Sequence, residues 1–169
     1  MPSPVVGCSM LLALMLAGTM EDAAVAEAEV WLGTPWAWNG QGTAKNPGMG
    51  CMSLVFRAWS EASGVPRTRY PVNPSEMRSS GLLGPTVGHW GPGETTTLER
   101  GDVVFLLTTS EIPDDPMLTH EGVDYWPWHM GLYAGEGQLL HAEPGGVVRS
   151  QELSELAWER VLGLRPGAP

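Results

Sequence analysis

The sequence predicts a single α+β domain, with helices first and a small antiparallel sheet after them. Three observations predict it. Helix formers at helical apolar spacing fall before residue 64, short β-branched and aromatic segments follow residue 101, and turn residues part those segments at hairpin distances. A length of 169 residues suits one domain, and 43% hydrophobic with 17% charged residues is the composition of a folded chain.

Taken in order, Met10 to Gly18 is an apolar run followed by an Ala- and Glu-rich segment. The run has the length of a signal-peptide core, but no Lys or Arg precedes Lys45. Residues 1–20 therefore read equally as an export signal or as an N-terminal core helix, and the domain proper as 21–169. Val5-Val6-Gly7-Cys8 has the look of a lipoprotein cleavage box without the apolar stretch that should lead into it. The run is too short to cross a bilayer as a helix, so no stable membrane span is expected.

Glu21 to Leu32 is expected to be helical, with acidic residues in its first turn and Gly33 as its stop. Gly33 to Gly50 is punctuated by Pro35, Gly40, Gly42, Pro47 and Gly48, and reads as a loop. Cys51 to Ser63 should be the second helix, because Leu54, Val55, Ala58, Trp59 and Ala62 share one face and Gly64 follows. Residues 65–100 read as irregular, with a short helix near Pro74 to Ser80. Strands are expected at Asp102 to Leu107, His129 to Ala134, Gln138 to Ala142 and Val147 to Ser150, with Glu136-Gly137 as a hairpin turn. A short helix near Gln151 to Trp158 and a last strand, Arg160 to Arg165, complete the reading.

A net charge of −10 argues against nucleic acid and against an anionic membrane surface as partners. Two cysteines, Cys8 and Cys51, do not make a disulfide framework, and no CxxC or HxxxH pair supports a zinc site. No metal or other cofactor is expected. Eight Trp are too many for a core this small to hide, so some should line a groove.

The chemistry concentrates around Cys51. A thiol in the first turn of a helix meets the positive end of the dipole and free N–H groups, which favour thiolate and can hold an oxyanion. Free cysteine is nonetheless often merely buried. His129 and His141 add weight: they lie twelve positions apart across the Glu136-Gly137 turn, where adjacent antiparallel strands can bring them together. One imidazole would take the thiol proton and the other would orient it.

The strings GTPWAWNG, GMGCMSLVFRAW, ERGDVVFLL and WHMGLYAGEGQLLHAEPGGVV, in that order, resemble the NlpC family of papain-like cell-wall cysteine peptidases. The likeness covers roughly residues 21–165. It implies a papain-like arrangement, with the nucleophile helix packed on a small antiparallel sheet or half-barrel. It also implies Cys51 as nucleophile, His129 as general base and His141 as the orienting third residue. Trp36, Trp38, Gly50, Met52, Ser53 and Trp128 become candidates for substrate contact. The implied substrate is a peptidoglycan stem peptide, cut between D-glutamate and a diamino acid, and the implied location is periplasmic, secreted or at the envelope. An amidase, toxin or phage-type lysin with another cut site is a variant of the same reading, and no inhibitor or immunity partner is legible. Gly50 stands where the family has Asp, Met52-Ser53 replaces Ser-Gly, and Trp36 replaces a Tyr. An insertion, Thr108 to Trp128, precedes His129 and would wall or cap a groove; His89 and His120 read as surface or loop residues. The changes around Cys51 keep a second reading in view, a non-catalytic wall-binding module of the same fold.

Overall fold

The computed structural model describes residues 18–64, 73–79 and 82–166. Residues 1–17, with Cys8 and the apolar run, lie outside the described residues. Two helices, α1 (Met20–Glu29) and α2 (Cys51–Ser63), pack on one face of an antiparallel sheet, and a short α3 (Pro74–Ser79) follows. The sheet holds β1 (Thr86–Trp90), β2 (Val103–Thr108), β3 (Leu118–His120), β4 (Val123–Gly135), β5 (Gln138–Ala142), β6 (Val148–Glu152) and β7 (Arg160–Leu164). Its order is β1-β7-β2-β4-β5-β6, with β3 paired to β4 off that path. This is the α+β arrangement expected.

The helices form for local reasons. Thr19 caps α1 by accepting from Asp22 N–H, and Glu21 and Asp22 occupy its first turn. Ala24, Val25 and Ala28 are its buried stripe. α2 matches its expected bounds, buries Leu54, Val55, Ala58 and Trp59, and ends at Gly64 in the left-handed region. β2 is a continuous apolar run rather than an alternating one, because both its faces are covered. Phe105 and Leu107 join the larger core beneath the helices; Val104 and Leu106 join a smaller one with Trp90, Tyr133, Leu139 and Val161.

Helices and sheet are tied together at the turn entering β2. A Cβ on Gly101 would come within 2.6 Å of the Glu21 Cβ, so only glycine lets α1 lie this close. The indole Nε1–H of Trp59 donates to Gly101 O at 3.2 Å. Next to it, Asp102 is 1% exposed and grips Arg165 at two points, 2.8 and 2.9 Å, while accepting from Glu99 N–H at 2.8 Å. Both oxygens of that carboxylate are put to use.

Three expectations are corrected. Residues 86–90, read as irregular, form β1, an edge strand whose Gly88 and register irregularity erase the alternation that marks a strand. The Thr108–Trp128 insertion is partly a hairpin: β3 pairs with the first half of β4, so His129 sits within a strand of thirteen residues rather than opening one. His89 and His120 accordingly stand on strands, rings 4.8 Å apart. The helix expected at Gln151 to Trp158 is strand through Glu152 and then one 3₁₀ turn, Leu153–Glu155, because Gln138 Nε2 holds Glu152 Oε1 across the strands at 2.7 Å.

Removing the buried carboxylate should therefore be costly. Asp102→Ala leaves Glu99 N–H without its acceptor and Arg165 with only its ion pair to the exposed Glu99 carboxylate, and is expected to lower unfolding free energy by about 3 kcal/mol. Urea denaturation checks this, with an exposed-pair control, Asp22→Ala at the Arg100 contact, expected to cost far less.

Candidate active site

Cys51 is the first residue of α2, preceded by Gly50 in extended conformation with no side-chain cap. The first ladder bond runs from Leu54 N–H to Gly50 O at 3.0 Å, which leaves the N–H groups of Cys51, Met52 and Ser53 ahead of the ladder. The thiol is free. Burial pushes its pKa up, while the N–H groups of Met52 and Met130 direct their dipoles at the sulfur and oppose that rise. Met130 supplies its N–H from β4, whose ladder with β5 begins only at Leu132.

His129 and His141 meet as the strand register dictates. Leu132 lies opposite Leu140, and the same antiparallel register continued one step beyond the ladder brings Gly131 level with His141. Gly131 has no room for a side chain, since a Cβ would fall 2.6 Å from Leu140 O. His141 thus lies diagonal to His129 on one face, and its Nδ1 is 2.8 Å from His129 Nε2. On the far side, His141 Nε2 is 3.2 Å from Gln151 Oε1 on β6.

This row has one consistent direction. A carbonyl oxygen only accepts, so His141 donates from Nε2 to Gln151 and accepts at Nδ1. His129 must then donate from Nε2, leaving its Nδ1 as a lone pair. That nitrogen is buried without a hydrogen-bond partner among the described residues. Burial and the neighbouring His141 hold the His129 pKa down to about 3, and burial also lowers that of His141. The ring of Trp128 stacks on His129 at 5.2 Å and 27°.

Cys51 and His129 line the same cleft, of about 560 Å³. All six residues expected at a substrate surface line it too: Trp36, Trp38, Gly50, Met52, Ser53 and Trp128. Trp36 and Trp38 meet edge to face with centroids 6.4 Å apart, and Trp38 is 80% exposed. Their loop is held in place where Trp36 N–H donates to Gly146 O and Met49 N–H to Pro35 O. The lining also contains Ile112, Pro113 and Asp114 from the insertion and Pro127 and Trp128 from β4. The β2–β4 register skips there, Leu106 facing His129 and Leu107 facing Pro127, so Trp128 is the extra residue of a bulge. Pro127 has no N–H to lose at such a point.

Gln151 was missed in the sequence because it was read as the start of a helix. The available signal was the strand period itself: position 151 shares a face with Arg149, which pairs His141. Asp114, on the cleft wall, was noted only as part of the insertion. Among the described residues, no three His, Cys, Asp or Glu side chains converge as a metal site.

Comparison with known proteins identifies the chain's relatives. The chain is 27% identical over 150 residues to the probable endopeptidase YafL of Escherichia coli, covering 85% of this chain. It is 28% identical over 142 residues to the probable peptidoglycan endopeptidase LytE of Bacillus subtilis, covering 83% of this chain. It spans 49% of the first and 33% of the second. Among solved structures it resembles the NlpC/p60 domain of the peptidoglycan hydrolase SagA, with TM-score 0.53, 21% identity, and 84% and 97% of the two chains covered. RipD of Mycobacterium tuberculosis, described as a non-catalytic NlpC/p60 protein adapted to peptidoglycan binding, gives TM-score 0.55, 20% identity, and 89% and 99% covered. The NlpC/P60 family model matches residues 33–164, a span running from the loop that carries Trp36 to the end of β7, and the chain belongs to that family.

Proposed function

We propose that the protein is a cysteine hydrolase that cuts an amide bond in peptidoglycan stem peptides, with Cys51 as nucleophile and His129 as base. The observation that carries this is the directed row Gln151–His141–His129, which leaves a lone pair on Nδ1 of His129, a residue that lines the same cleft as Cys51.

The chemistry follows from the atoms in place. The Cys51 proton passes to His129 Nδ1 as the sulfur bonds to the amide carbonyl carbon. The carbonyl electron pair moves to oxygen, where the N–H groups at the start of α2 receive it. His129 returns the proton to the leaving nitrogen as the C–N bond breaks, giving a thioester. Water, deprotonated by His129, then attacks the thioester and restores the thiol. His141 is a positioning residue that holds His129 in one tautomer, and Gln151 does the same for His141.

Neither Cys51 nor His129 charges easily by itself, since burial disfavours both ions. Proton transfer between them keeps the net charge unchanged, so resting thiol and imidazole are neutral and ionise as a pair. Trp36, Trp38 and Trp128 provide apolar walls for a peptide, and the cut between D-glutamate and a diamino acid is the preferred bond. The place of action is the cell envelope. A non-catalytic binder is the second reading; the unlikeness of Gly50 to the family pattern and the RipD likeness favour it.

Mass spectrometry of muropeptides after digestion of purified peptidoglycan tests the proposal. Wild type is expected to release new stem fragments and Cys51→Ala none; fragments from neither, across walls of different chemistry, would overturn it in favour of the binder. Gln151→Leu removes one hydrogen bond from the row and should lower kcat about tenfold, while His141→Ala should lower it about a hundredfold or more, both with little change in KM.

The histidines also set a pH dependence of stability. His89, His129 and His141 all have folded-state pKa values below the ordinary 6.5, His129 near 3. The unfolded chain therefore takes up these protons first, and stability present above pH 6.5 is lost as pH falls toward about 3. Denaturant unfolding across that window is expected to show the loss, and His129→Gln to flatten part of it.

A further inference from the structure

A second hollow shares Trp128 with the cleft. It is a recess of about 630 Å³ lined by Thr108, Ser110, Trp128, Ala157, Trp158 and Glu159. The proposed mechanism uses none of these except Trp128. Trp158 is fixed in place: its Nε1–H donates to Leu153 O at 2.9 Å, and the ring rests on the smaller core. The indole is thereby held as a rigid wall, with its own polar atom already satisfied. Trp128 is 40% exposed and gives one side to the His129 stack.

The polar groups lie at the rim. Glu159 accepts from Thr108 Oγ1 at 3.2 Å through Oε1 and from Thr109 N–H at 3.0 Å through Oε2. These bonds fix the carboxylate and keep it ionised, and each oxygen retains accepting capacity. Ser110 also lines the recess. Flat aromatic walls with an oriented carboxylate and a hydroxyl match one class of ligand well. A pyranose ring offers an apolar C–H face to an indole and equatorial hydroxyl or amide N–H donors to a carboxylate.

We propose that this recess is a sugar subsite, taking an N-acetylhexosamine ring of the glycan strand to which the stem peptide is attached. The inference rests on the proposed peptidoglycan substrate and deepens it. Continuity favours this occupant: Trp128 lines both hollows, so a ligand reaching across it places a sugar in one and a peptide in the other. Only a substrate made of both parts uses both surfaces.

Two measurements test it. In the first, kcat/KM is compared for a stem peptide and for the same peptide carried on its N-acetylglucosaminyl-N-acetylmuramyl disaccharide. The disaccharide form is expected to have a KM about tenfold lower. Trp158→Ala should abolish that advantage and leave the free-peptide rate unchanged. Ala157→Arg, which fills the recess from an exposed position, should do the same without touching the smaller core. In the second, Cys51→Ala protein is titrated with N,N′-diacetylchitobiose while indole N–H resonances are followed, and a saturable shift of the Trp158 signal is expected.

The outcomes separate the two ideas. Equal cleavage of both substrates, with no Trp158 shift, overturns the sugar subsite and leaves the hydrolase. A Trp158 shift without cleavage of either substrate sustains the subsite and overturns the hydrolase. Neither cleavage nor shift overturns both.

Discussion

The hydrogen bond between His129 Nε2 and His141 Nδ1 is the interaction on which the site depends. It carries the direction set by Gln151 Oε1 from one imidazole to the next, and so settles whether His129 Nδ1 holds a lone pair or an N–H. The bond is itself a consequence of register. A slip of one residue between β4 and β5 would send both rings to opposite faces of the sheet. Two features hold that register. The Glu136-Gly137 turn has positive φ at both positions, which joins the strands with the twist a two-residue hairpin needs. Gly131 admits the backbone of β5 at a distance no side chain would permit. The sheet therefore performs a positioning function well beyond burying apolar area.

Much of this was legible in the residues, for reasons that differ by element. α2 was legible to the residue because its apolar stripe and its terminal Gly64 are local signals. The histidine pair was legible because hairpin geometry is short-range: twelve positions around a two-residue turn can only return to one neighbourhood. β1 was not, since a five-residue edge strand containing glycine and histidine carries no period of its own and is specified by β7. Gln151 is obscured by a competing pattern, in which Glu, Ser and Leu at 152–156 read as helix formers while cross-strand bonds of Ser150 and Glu152 with Gln138 keep the chain extended through Glu152. The insertion was visible as extra length, but its role in walling the cleft depends on contacts distant in sequence. Asp114 accepts from Ser75 N–H at 3.2 Å, and Arg78 donates to Met117 O at 2.7 Å, joining it to α3.

The insertion and the bulge act together. Extending β4 toward its N-terminus creates a hairpin that needs support, and Trp126 Nε1–H supplies some by donating to Asp114 O at 3.1 Å. An uninterrupted strand would place successive side chains on alternate faces without exception. The extra residue at Trp128 breaks that alternation where β4 passes the cleft. It brings an indole against the imidazole that follows it in sequence, a contact that regular strand geometry forbids between neighbours.

That contact bears on the energetics of the proposed reaction. Burial raises the Cys51 pKa and lowers that of His129, so the resting site holds no charge and exerts little pull on water or stray ions. The cost reappears when the proton moves and a thiolate faces an imidazolium in the same dry surroundings. Each ion then meets something already aimed at it. The thiolate meets the N–H groups of Met52 and Met130 and the positive end of α2. The imidazolium meets the acceptor nitrogen of His141 and the face of Trp128. Low polarity around the pair strengthens every one of these contacts relative to water, and none requires the protein to rearrange. The same burial that keeps Cys51 quiet at rest therefore sets the cost of charge separation, and groups held by backbone and register offset part of that cost when the proton moves.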